Sequence, residues 1–337
     1  MKLSTFVPVG SATPRVGALM ADGKTLIDLA EAELARTGRT DPALASMQSL
    51  IESGEKGLAL ARQVVDAAPD ASRVSLRNAR ILAPLQPVAL RCCSVFDGHH
   101  RGVARALREL GRGTTATDEQ VPALFQRIPA YYKANHLNVR GPGDEVEWPI
   151  FGDDLDFELE LAAVIGRRGK NIPVAQALGH IFGFSIYNDL SARDPQLAEM
   201  SMGLGPVKSK DFDGGNVLGP FIVTTDELDG DDVLAVARIN GKEIGRARST
   251  EMRQKWAEII SYRSLGETIH AGEVITSGAF TGCSGIEHMR FLEPGDEVEL
   301  EIEGIGILSN RIGKRPLRPV HWPAYPPSSE TMGSGPS

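Results

Sequence analysis

The sequence lacks the features of several protein classes. No apolar run approaches the roughly 20 residues that span a bilayer, and the N-terminus lacks the charged-then-apolar order of a signal peptide. The three cysteines, Cys92, Cys93 and Cys283, show no CxxC spacing, so neither a disulfide framework nor a thiolate zinc site is indicated. Basic residues are in deficit: the net charge is -8 and the pI is about 5.5, which argues against nucleic-acid or anionic-membrane partners. These absences predict a soluble metabolic protein of the cytoplasm.

The length and composition allow more than one core. With 337 residues and 42% hydrophobic content, the chain can bury one large core or two smaller ones. Residues 1–84 carry a strand pair with an Asp-Gly turn and then helical periodicity, which predicts a small N-terminal α+β domain that ends near Pro84 and Pro87. Residues 85–314 are predicted to form a larger domain. The tail 315–337 is rich in Pro, Ser and Gly and is predicted to be disordered.

One stretch of the presumed larger domain alternates strictly between acids and apolar residues. The apolar positions are 155, 157, 159 and 161, and the acids stand at 154, 156, 158 and 160. This period predicts a β-strand with all four carboxylates on one face. Such neighbours lie about 7 Å apart, a spacing that like charges tolerate only in water or around a cation.

A second stretch provides a comparison. Residues 297–303 show the same alternation, and there a strand with a solvated face is the better interpretation. After Glu160, however, the chain continues into an unbroken apolar run, Leu161 to Ile165, as expected of a strand that is covered on both faces. A charge that enters an interior must be paired or must coordinate an ion. On this strand alone, a metal site and a wet face both remain open.

Histidines and a further acid mark other candidate positions. His99 and His100 stand between an apolar strand and a helix, where function is often mounted, although such histidines more commonly cap a helix or solvate a loop. Asp189 follows the apolar run 181–187 and is placed to give a third oxygen ligand to a hard cation, although Asn-Asp at a strand end is more often a turn or cap. The polar stretch 112–133 is a candidate lid.

A basic, glycine-rich loop at 208–215 contains Lys210. It lacks the GxxxxGK[ST] order and is therefore not interpreted as a phosphate cradle. A lysine beside a metal can stabilise an enolate or bind a substrate carboxylate, whereas a surface lysine in a loop is the commoner case.

Taken together, these segments resemble the fumarylacetoacetate hydrolase family. The match rests on several separated motifs in the family's order and covers about residues 85–314. The segments are LDFELE at 155–160, YNDLSARD at 187–194, GPVKSKDF at 205–212 and LEPGD at 292–296. The resemblance implies a mixed α/β, mainly β catalytic domain built as a mixed β-sheet roll, assembled as a homodimer.

The resemblance also implies a metal site. Glu158, Glu160 and Asp189 fall on the family's three metal carboxylates, which usually bind Mg²⁺ or Mn²⁺ and sometimes Ca²⁺. Three carboxylates without a thiol or histidine ligand suit such hard cations better than zinc.

Further roles follow from the same matching. Arg193, Gln196 and Lys210 match positions that bind the oxo and carboxylate oxygens of the substrate, and His99 matches the general base, with His100 as the alternative if the register differs by one. The reaction implied is hydrolysis of a carbon-carbon bond in a diketo acid or β-diketone through a metal-stabilised enolate. The alternatives are a 2-oxo acid decarboxylase, a keto-enol or double-bond isomerase, and a catalytically silent binding protein.

Two departures from the family pattern stand out. Many family hydrolases carry a glutamate three residues after the catalytic histidine, where this chain has Gly102. Without that partner, the histidine is less basic and its tautomer is less fixed. The family also favours Gly-Thr in a late loop, whereas this chain has Gly278-Ala279, so that a substrate-binding hydroxyl is either lost or supplied by Thr281.

Overall fold

A computed structural model describes residues 1–112, 126–201, 203 and 205–317. Within these ranges none of the helices combines the length and the apolar character that a membrane span requires. The three cysteines are free and buried. Residues 113–125 of the candidate lid and 318–337 of the predicted disordered tail lie outside the described residues. The lid prediction is wrong for residues 131–133, which belong to a strand of the main sheet.

Strands dominate the described part of the chain. The α-helices are α1 (Leu29–Thr37), α2 (Met47–Glu52), α3 (Gly54–Asp66), α4 (Asp97–Glu109), α5 (Val174–Ala177), α6 (Arg193–Ser201) and α7 (Trp256–Arg263). The strands are β1 (Lys2–Pro8), β2 (Arg15–Leu19), β3 (Thr25–Asp28), β4 (Arg73–Ser75), β5 (Ala79–Ile81), β6 (Ala89–Cys93), β7 (Tyr131–Ala134), β8 (Val139–Arg140), β9 (Glu145–Val146), β10 (Leu155–Asp156), β11 (Leu159–Ile165), β12 (Ile181–Asp189), β13 (Ser191–Ala192), β14 (Asn216–Thr224), β15 (Leu234–Ile239), β16 (Lys242–Arg248), β17 (Glu273–Thr276), β18 (Glu297–Ile302) and β19 (Gly306–Ile312).

Three sheets can be traced in the described residues. The main sheet has the order β4-β3-β2-β1-β14-β12-β11-β17-β6-β7, with β5 also pairing with β1 and β8 with β14. A second sheet has the order β16-β15-β18-β19-β9, and β10 pairs only with β13. Most pairs are antiparallel, but β17 runs parallel to β6, so the main sheet is mixed. This arrangement agrees with the predicted mixed α/β, mainly β class.

Strand β11 lies inside the main sheet, between β12 and β17, and is covered on both faces. Leu161 and Ala163 pack into a cluster with residues of β15 and β18 of the second sheet, whereas Ala162 and Val164 pack with residues of helices α1 to α3. Alternate side chains of one strand point to opposite faces, so each face of β11 meets its own layer. The run 161–165 is completely buried, as its unbroken apolar character predicted.

The main sheet continues into the N-terminal residues. Strand β1 pairs antiparallel with β14, with Leu3 opposite Ile222, so the first strands extend the same sheet. The division of the chain at residues 84 and 85 stays a prediction. The continuity of the sheet means that residues 1–84 are joined to the rest by backbone hydrogen bonds as well as by side-chain packing.

The acidic segment is less regular than its alternation suggests. Strand β10 ends at Asp156 and β11 begins at Leu159, so the single strand predicted through 161 is interrupted. Glu158 forms only an isolated bridge with Ser284, and the Asp156 carboxylate accepts a hydrogen bond from the amide of Phe157 (2.8 Å). Strand β10 lies outside the main sheet and pairs with β13. The interruption places Asp156 and Glu158 in different surroundings.

Candidate metal and catalytic site

Glu158, Glu160 and Asp189 converge at the junction of β11 and β12. Each residue offers a carboxylate oxygen, these oxygens all lie within 4.8 Å of one another, and all three residues are buried. The strand register explains the convergence. Leu159 faces Asn188 across the ladder, and the amide of Asp189 donates to the carbonyl of Glu158 (3.1 Å). Cross-strand neighbours share a face, so Asp189 joins the face that carries both glutamates.

Burial and the crowding of negative charge raise the pKa of two of these acids. Burial, followed by the charges of Asp189 and Glu158, raises the pKa of Glu160 well above its usual range. Burial and the charge of Glu158 also raise the pKa of Asp189, although Lys210 opposes the shift. Glu158 is the exception: burial works against its ionised form, but Lys210 and Arg193 hold the pKa of Glu158 well below its usual range. The cluster therefore has carboxylates in excess of its cations.

The donor set fits a hard divalent cation. All three groups are carboxylates, which Mg²⁺, Mn²⁺ and Ca²⁺ prefer, and their oxygens are close enough to share one ion. A divalent charge would also relieve the repulsion that, together with burial, raises the pKa of Glu160. Among the described residues, no other group of three His, Cys, Asp or Glu side chains meets this geometric criterion.

Lys210 lies directly on the acidic cluster. Its Nζ donates to Glu158 Oε2 (2.8 Å) and to Asp189 Oδ2 (2.6 Å), and the residue is buried. The loop that carries Lys210 is held by Glu199 of α6, whose carboxylate accepts from the amide of Val207 (2.9 Å) and the hydroxyl of Ser209 (2.6 Å). Lys210 is therefore buried. The commoner case for a lysine in a loop is a position on the surface.

Arg193 and Gln196 lie next to each other beside the acidic cluster. The guanidinium of Arg193 donates to Glu158 Oε1 through Nη2 (2.6 Å) and to Gln196 Oε1 through Nη1 (2.9 Å). Both residues belong to α6, and both are buried. Their spacing of three residues puts them on one face of that helix.

His99 faces both the cluster and a further carboxylate. The side chain lies in the first turn of α4, where Nδ1 donates to Glu287 Oε2 (3.0 Å) and Nε2 lies 3.7 Å from Glu158 Oε1. Burial lowers the pKa of His99, but the charges of Glu287 and Glu158 outweigh burial, and the pKa is raised. The hydrogen bond to Glu287 also selects the tautomer that leaves Nε2 as an acceptor.

Glu287 occupies the space in which a side chain at position 102 would stand. A Cβ on Gly102 would lie 2.7 Å from Glu287 Oε1 and 2.9 Å from its Cγ. Glu287 also accepts from the hydroxyl of Ser284 (2.8 Å) and the amide of Gly282 (2.9 Å). The carboxylate that is absent from the helix is thus supplied from a distant loop. Sequence reasoning missed Glu287, since no spacing relates it to His99.

The other predicted positions differ in what surrounds them. His100 Nε2 lies 3.0 Å from the hydroxyl of Ser94, and burial, followed by the charge of His99, lowers the pKa of His100 to about 4. His99 pairs with the carboxylate of Glu287 beside the cluster. Thr281 packs against Gly98, and its Oγ1 is buried without a hydrogen-bond partner among the described residues.

Tyr132 is another neighbour of the site that the sequence did not single out. Its hydroxyl lies 2.8 Å from both carboxylate oxygens of Asp189 and donates to that group. The residue comes from β7, and Lys210 Nζ lies 5.6 Å from the centre of its ring. Tyr132 thereby orients Asp189, as the outer hydrogen bonds of metal ligands commonly do.

The comparisons with known proteins agree with the family resemblance found in the sequence. The sequence model of the fumarylacetoacetate (FAA) hydrolase C-terminal family matches residues 99–313. A mitochondrial oxaloacetate tautomerase of Xenopus laevis is 29% identical over 316 residues, which cover 93% of this chain and 90% of the relative. A human mitochondrial oxaloacetate tautomerase is 28% identical over 316 residues, with 93% and 91% coverage.

Solved structures show the same fold. A fumarylacetoacetate hydrolase from Exiguobacterium antarcticum is 28% identical and aligns with a TM-score of 0.72, covering 94% of this chain and all of the other. A maleylpyruvate hydrolase from Sphingobium aligns with a TM-score of 0.69 at 20% identity, a likeness that concerns the fold. These alignments and the family match confirm the predicted fold class.

Proposed function

Because the chain belongs to the fumarylacetoacetate hydrolase family, we propose that it is a divalent-metal-dependent hydrolase that cleaves a carbon-carbon bond in a diketo acid or β-diketone. The observation that carries this proposal is the position of His99, between the carboxylate of Glu287 and the acidic cluster. Hydrolysis requires a base for water beside the metal, and this pairing supplies one. The relatives named above carry the names of enzymes, which favours an enzyme over the catalytically silent alternative.

Glu158, Glu160 and Asp189 would hold the cation, either Mg²⁺ or Mn²⁺, with Ca²⁺ as an alternative. When bound, the cation would polarise the carbonyl groups of the substrate and offset the negative charge of an enolate. Lys210 Nζ, which is already within 2.8 Å of two of these carboxylates, stands where it can donate to an enolate oxygen.

His99 acts as the general base in this proposal. Its Nε2 accepts a proton from water, the water oxygen attacks a carbonyl carbon, and the bond to the neighbouring carbon breaks. Glu287 stabilises the resulting imidazolium through the hydrogen bond at Nδ1. The imidazolium then returns the proton to the carbon that leaves as an enolate. The products are a carboxylic acid and a shorter oxo compound, so one water is consumed for each bond broken.

Arg193, Gln196 and Thr281 are proposed to bind the substrate. Arg193 and Gln196 lie together on α6 beside Glu158, which suits a carboxylate or oxo group of the substrate. Thr281 has a buried hydroxyl without a partner among the described residues, next to the helix turn that carries His99. A buried donor of this kind is expected to be satisfied by a ligand or by water.

An isotope experiment tests the proposal. Acetylpyruvate is incubated with the protein and Mg²⁺ or Mn²⁺ in ¹⁸O-labelled water, and the products are followed by NMR and mass spectrometry. Hydrolysis predicts pyruvate together with acetate that carries one ¹⁸O atom, and chelation or His99→Ala abolishes both. A protein that leaves acetylpyruvate unchanged with either cation, or that is insensitive to chelation, would contradict the proposal.

The second candidate is an oxo-acid isomerase such as an oxaloacetate tautomerase. It is favoured by the names of two curated relatives that align over 93% of this chain. Tautomerisation moves one proton between carbon and oxygen and consumes no water. Enol oxaloacetate that is converted to the keto form faster than in buffer, without decarboxylation and without turnover of acetylpyruvate, would favour this candidate.

Two further expectations stay predictions. The homodimer is expected from the family resemblance, and the cytoplasmic location is expected from the cysteine pattern and from the lack of a membrane-spanning or signal-peptide pattern. The relatives named above include mitochondrial proteins.

A further inference from the structure

Asp156 is a buried carboxylate that has no place in the catalytic scheme above. It ends β10, it is fully buried, and it lies two residues before Glu158. The alternation of the sequence placed it on the same face as Glu158 and Glu160. The structure instead directs its oxygens toward α6 on one side and toward the loop of Glu287 on the other.

One side of this carboxylate holds the arginine of the site. Asp156 Oδ2 accepts from Arg193 Nε (2.8 Å), and Arg193 Nη2 is 2.6 Å from the same oxygen. The guanidinium continues to Glu158 and Gln196, so Asp156 fixes the plane in which Arg193 presents its donors. Arginine donors form a rigid planar fork, and fixing one edge orients the other edges.

On its other side, the Asp156 carboxylate accepts hydrogen bonds from the loop that carries Glu287, the partner of His99. The amide of Gly285 donates to Asp156 Oδ1 (2.8 Å), and the amide of Ile286 donates to Oδ2 (3.0 Å). These two amides come directly before Glu287, whose carboxylate accepts from His99 Nδ1. A shift of the loop would therefore move Glu287 relative to the histidine.

Gly285 shows that this contact is close. A Cβ at position 285 would lie 2.4 Å from Asp156 Oδ1 and 2.2 Å from the carbonyl oxygen of Arg290. The φ of Gly285 is -67°, which any residue adopts, so space rather than backbone conformation requires glycine here. Any larger residue would have to push the loop or the carboxylate away.

We propose that Asp156 is a positioning residue that sets the substrate-binding Arg193 and the Glu287 partner of His99 in one rigid frame. This inference rests on the proposed function. It goes beyond that function because it predicts that substrate binding and water activation depend on one shared carboxylate. Replacing a buried acid with a purely structural role would change stability without changing KM and kcat together.

The chain offers a matched control. Asp28 is also buried, accepts from an arginine (Arg15 Nη1, 2.7 Å) and accepts from a backbone amide at the start of a helix (Glu31 N, 3.2 Å). It lies in the N-terminal residues and has no contact with the site residues described above. Asp28→Asn therefore reproduces the loss of a buried carboxylate without touching the frame.

The test compares Asp156→Asn with Asp28→Asn. Asp156→Asn is expected to raise KM and to lower kcat by about tenfold each. Glu287→Gln should lower kcat less in this variant than in the wild type, because Glu287 is then already displaced from His99. Asp28→Asn should lower only the melting temperature. Unchanged kcat and KM in Asp156→Asn would overturn the proposal, and so would an undiminished effect of Glu287→Gln.

A second readout is independent of turnover. In substrate-free protein, the Nδ1 proton of His99 should give an NMR signal shifted downfield by its bond to Glu287, and Asp156→Asn should move or broaden it while Asp28→Asn does not. If the wild type shows no activity on diketo acids, the proposed function fails while this signal still decides the positioning role. If Asp156→Asn does not fold, Gly285→Ala is used in its place. This variant keeps the negative charge of Asp156 but displaces the contact between Asp156 and the loop that carries Glu287. A wild-type His99 signal in Gly285→Ala would overturn the proposal.

Discussion

The acids of segment 154–160 and those of segment 297–303 follow the same alternation, yet their surroundings differ. Glu158 is 6% exposed and Glu160 is 1% exposed, whereas Glu297 and Glu303 are exposed and the acids between them are half-buried. Glu301 of β18 pairs with the half-buried Arg238 (2.7 Å). Alternation therefore predicts extended backbone and the shared side of Glu158 and Glu160, but not the break between β10 and β11. Whether the acidic face is exposed to solvent depends on the segments that pack over it. Those segments are distant from it in the sequence.

The largest expected effect is on the cluster itself. Glu158→Gln keeps the size of the side chain but removes a ligand charge, so kcat/KM should fall by about 10³-fold or more, equivalent to several kcal/mol of lost charge stabilisation. The measurement is the steady-state rate at saturating Mg²⁺ or Mn²⁺, with circular dichroism to verify folding. If Glu158→Gln keeps wild-type activity, the two acidic segments are equivalent and the comparison fails.

A smaller loss is expected at the partner of the base. Glu287→Gln should lower kcat by about 10²-fold with little change in KM, because general-base catalysis contributes effects of this size. Glu287 raises the pKa of His99, so its removal should lower that pKa. The acidic limb of the rate profile, where His99 becomes protonated, should then move to lower pH. A limb that stays in place or moves to higher pH would show that Glu287 does not act on His99.

A change at Glu160 should have effects of opposite sign on the metal-free and metal-bound forms. The raised pKa of Glu160 means that the folded metal-free protein binds more protons than the unfolded chain, so its stability falls as pH rises through that pKa. Glu160→Gln should therefore stabilise the metal-free form near pH 8 by about 1 to 2 kcal/mol. It should also reduce the rise in melting temperature on adding Mn²⁺. Thermal melts with and without chelator measure both effects, and a destabilised metal-free variant would contradict the account.

The smallest effect is expected in the other acidic segment. Glu299→Gln removes a half-buried acid of β18, so the free energy of unfolding should change by less than about 0.5 kcal/mol. Catalytic activity and the response to Mn²⁺ should equal those of the wild type. Chemical denaturation and steady-state rates verify this. A large loss of metal response here would remove the distinction between the segments.

The sequence predicted the cluster because its geometry is local. Two glutamates two residues apart on a strand share a face, and an acid at the end of the adjacent strand joins them once the strands pair. The covered run 161–165 indicated that the acids enter the interior, and the resemblance to the family identified Asp189 as the third member. The alternation could not show the interruption at Phe157 and Glu158, which arises because β10 pairs with β13 outside the main sheet.

Long-range contacts escaped the sequence. Glu287 stands 188 residues from His99, and its only local sign is the glycine at 102 that leaves room for it. Asp156 appeared as one acid of a row, and nothing in the alternation distinguished its link to Gly285 and Arg193. The pairing of β1 with β14 joins residues more than 200 positions apart and was also not foreseen. Such contacts depend on how complete elements pack, which short-range patterns do not encode.

Binding of Mn²⁺ to metal-free protein, measured by titration calorimetry, shows whether Glu158, Glu160 and Asp189 form a metal site. We expect one site per chain that is lost or strongly weakened in Glu158→Gln, Glu160→Gln and Asp189→Asn. The same site should be unchanged when Glu297, Glu299 and Glu301 are all replaced by Gln. Binding that survives all three changes at the cluster, or that disappears with the changes in β18, would contradict this expectation.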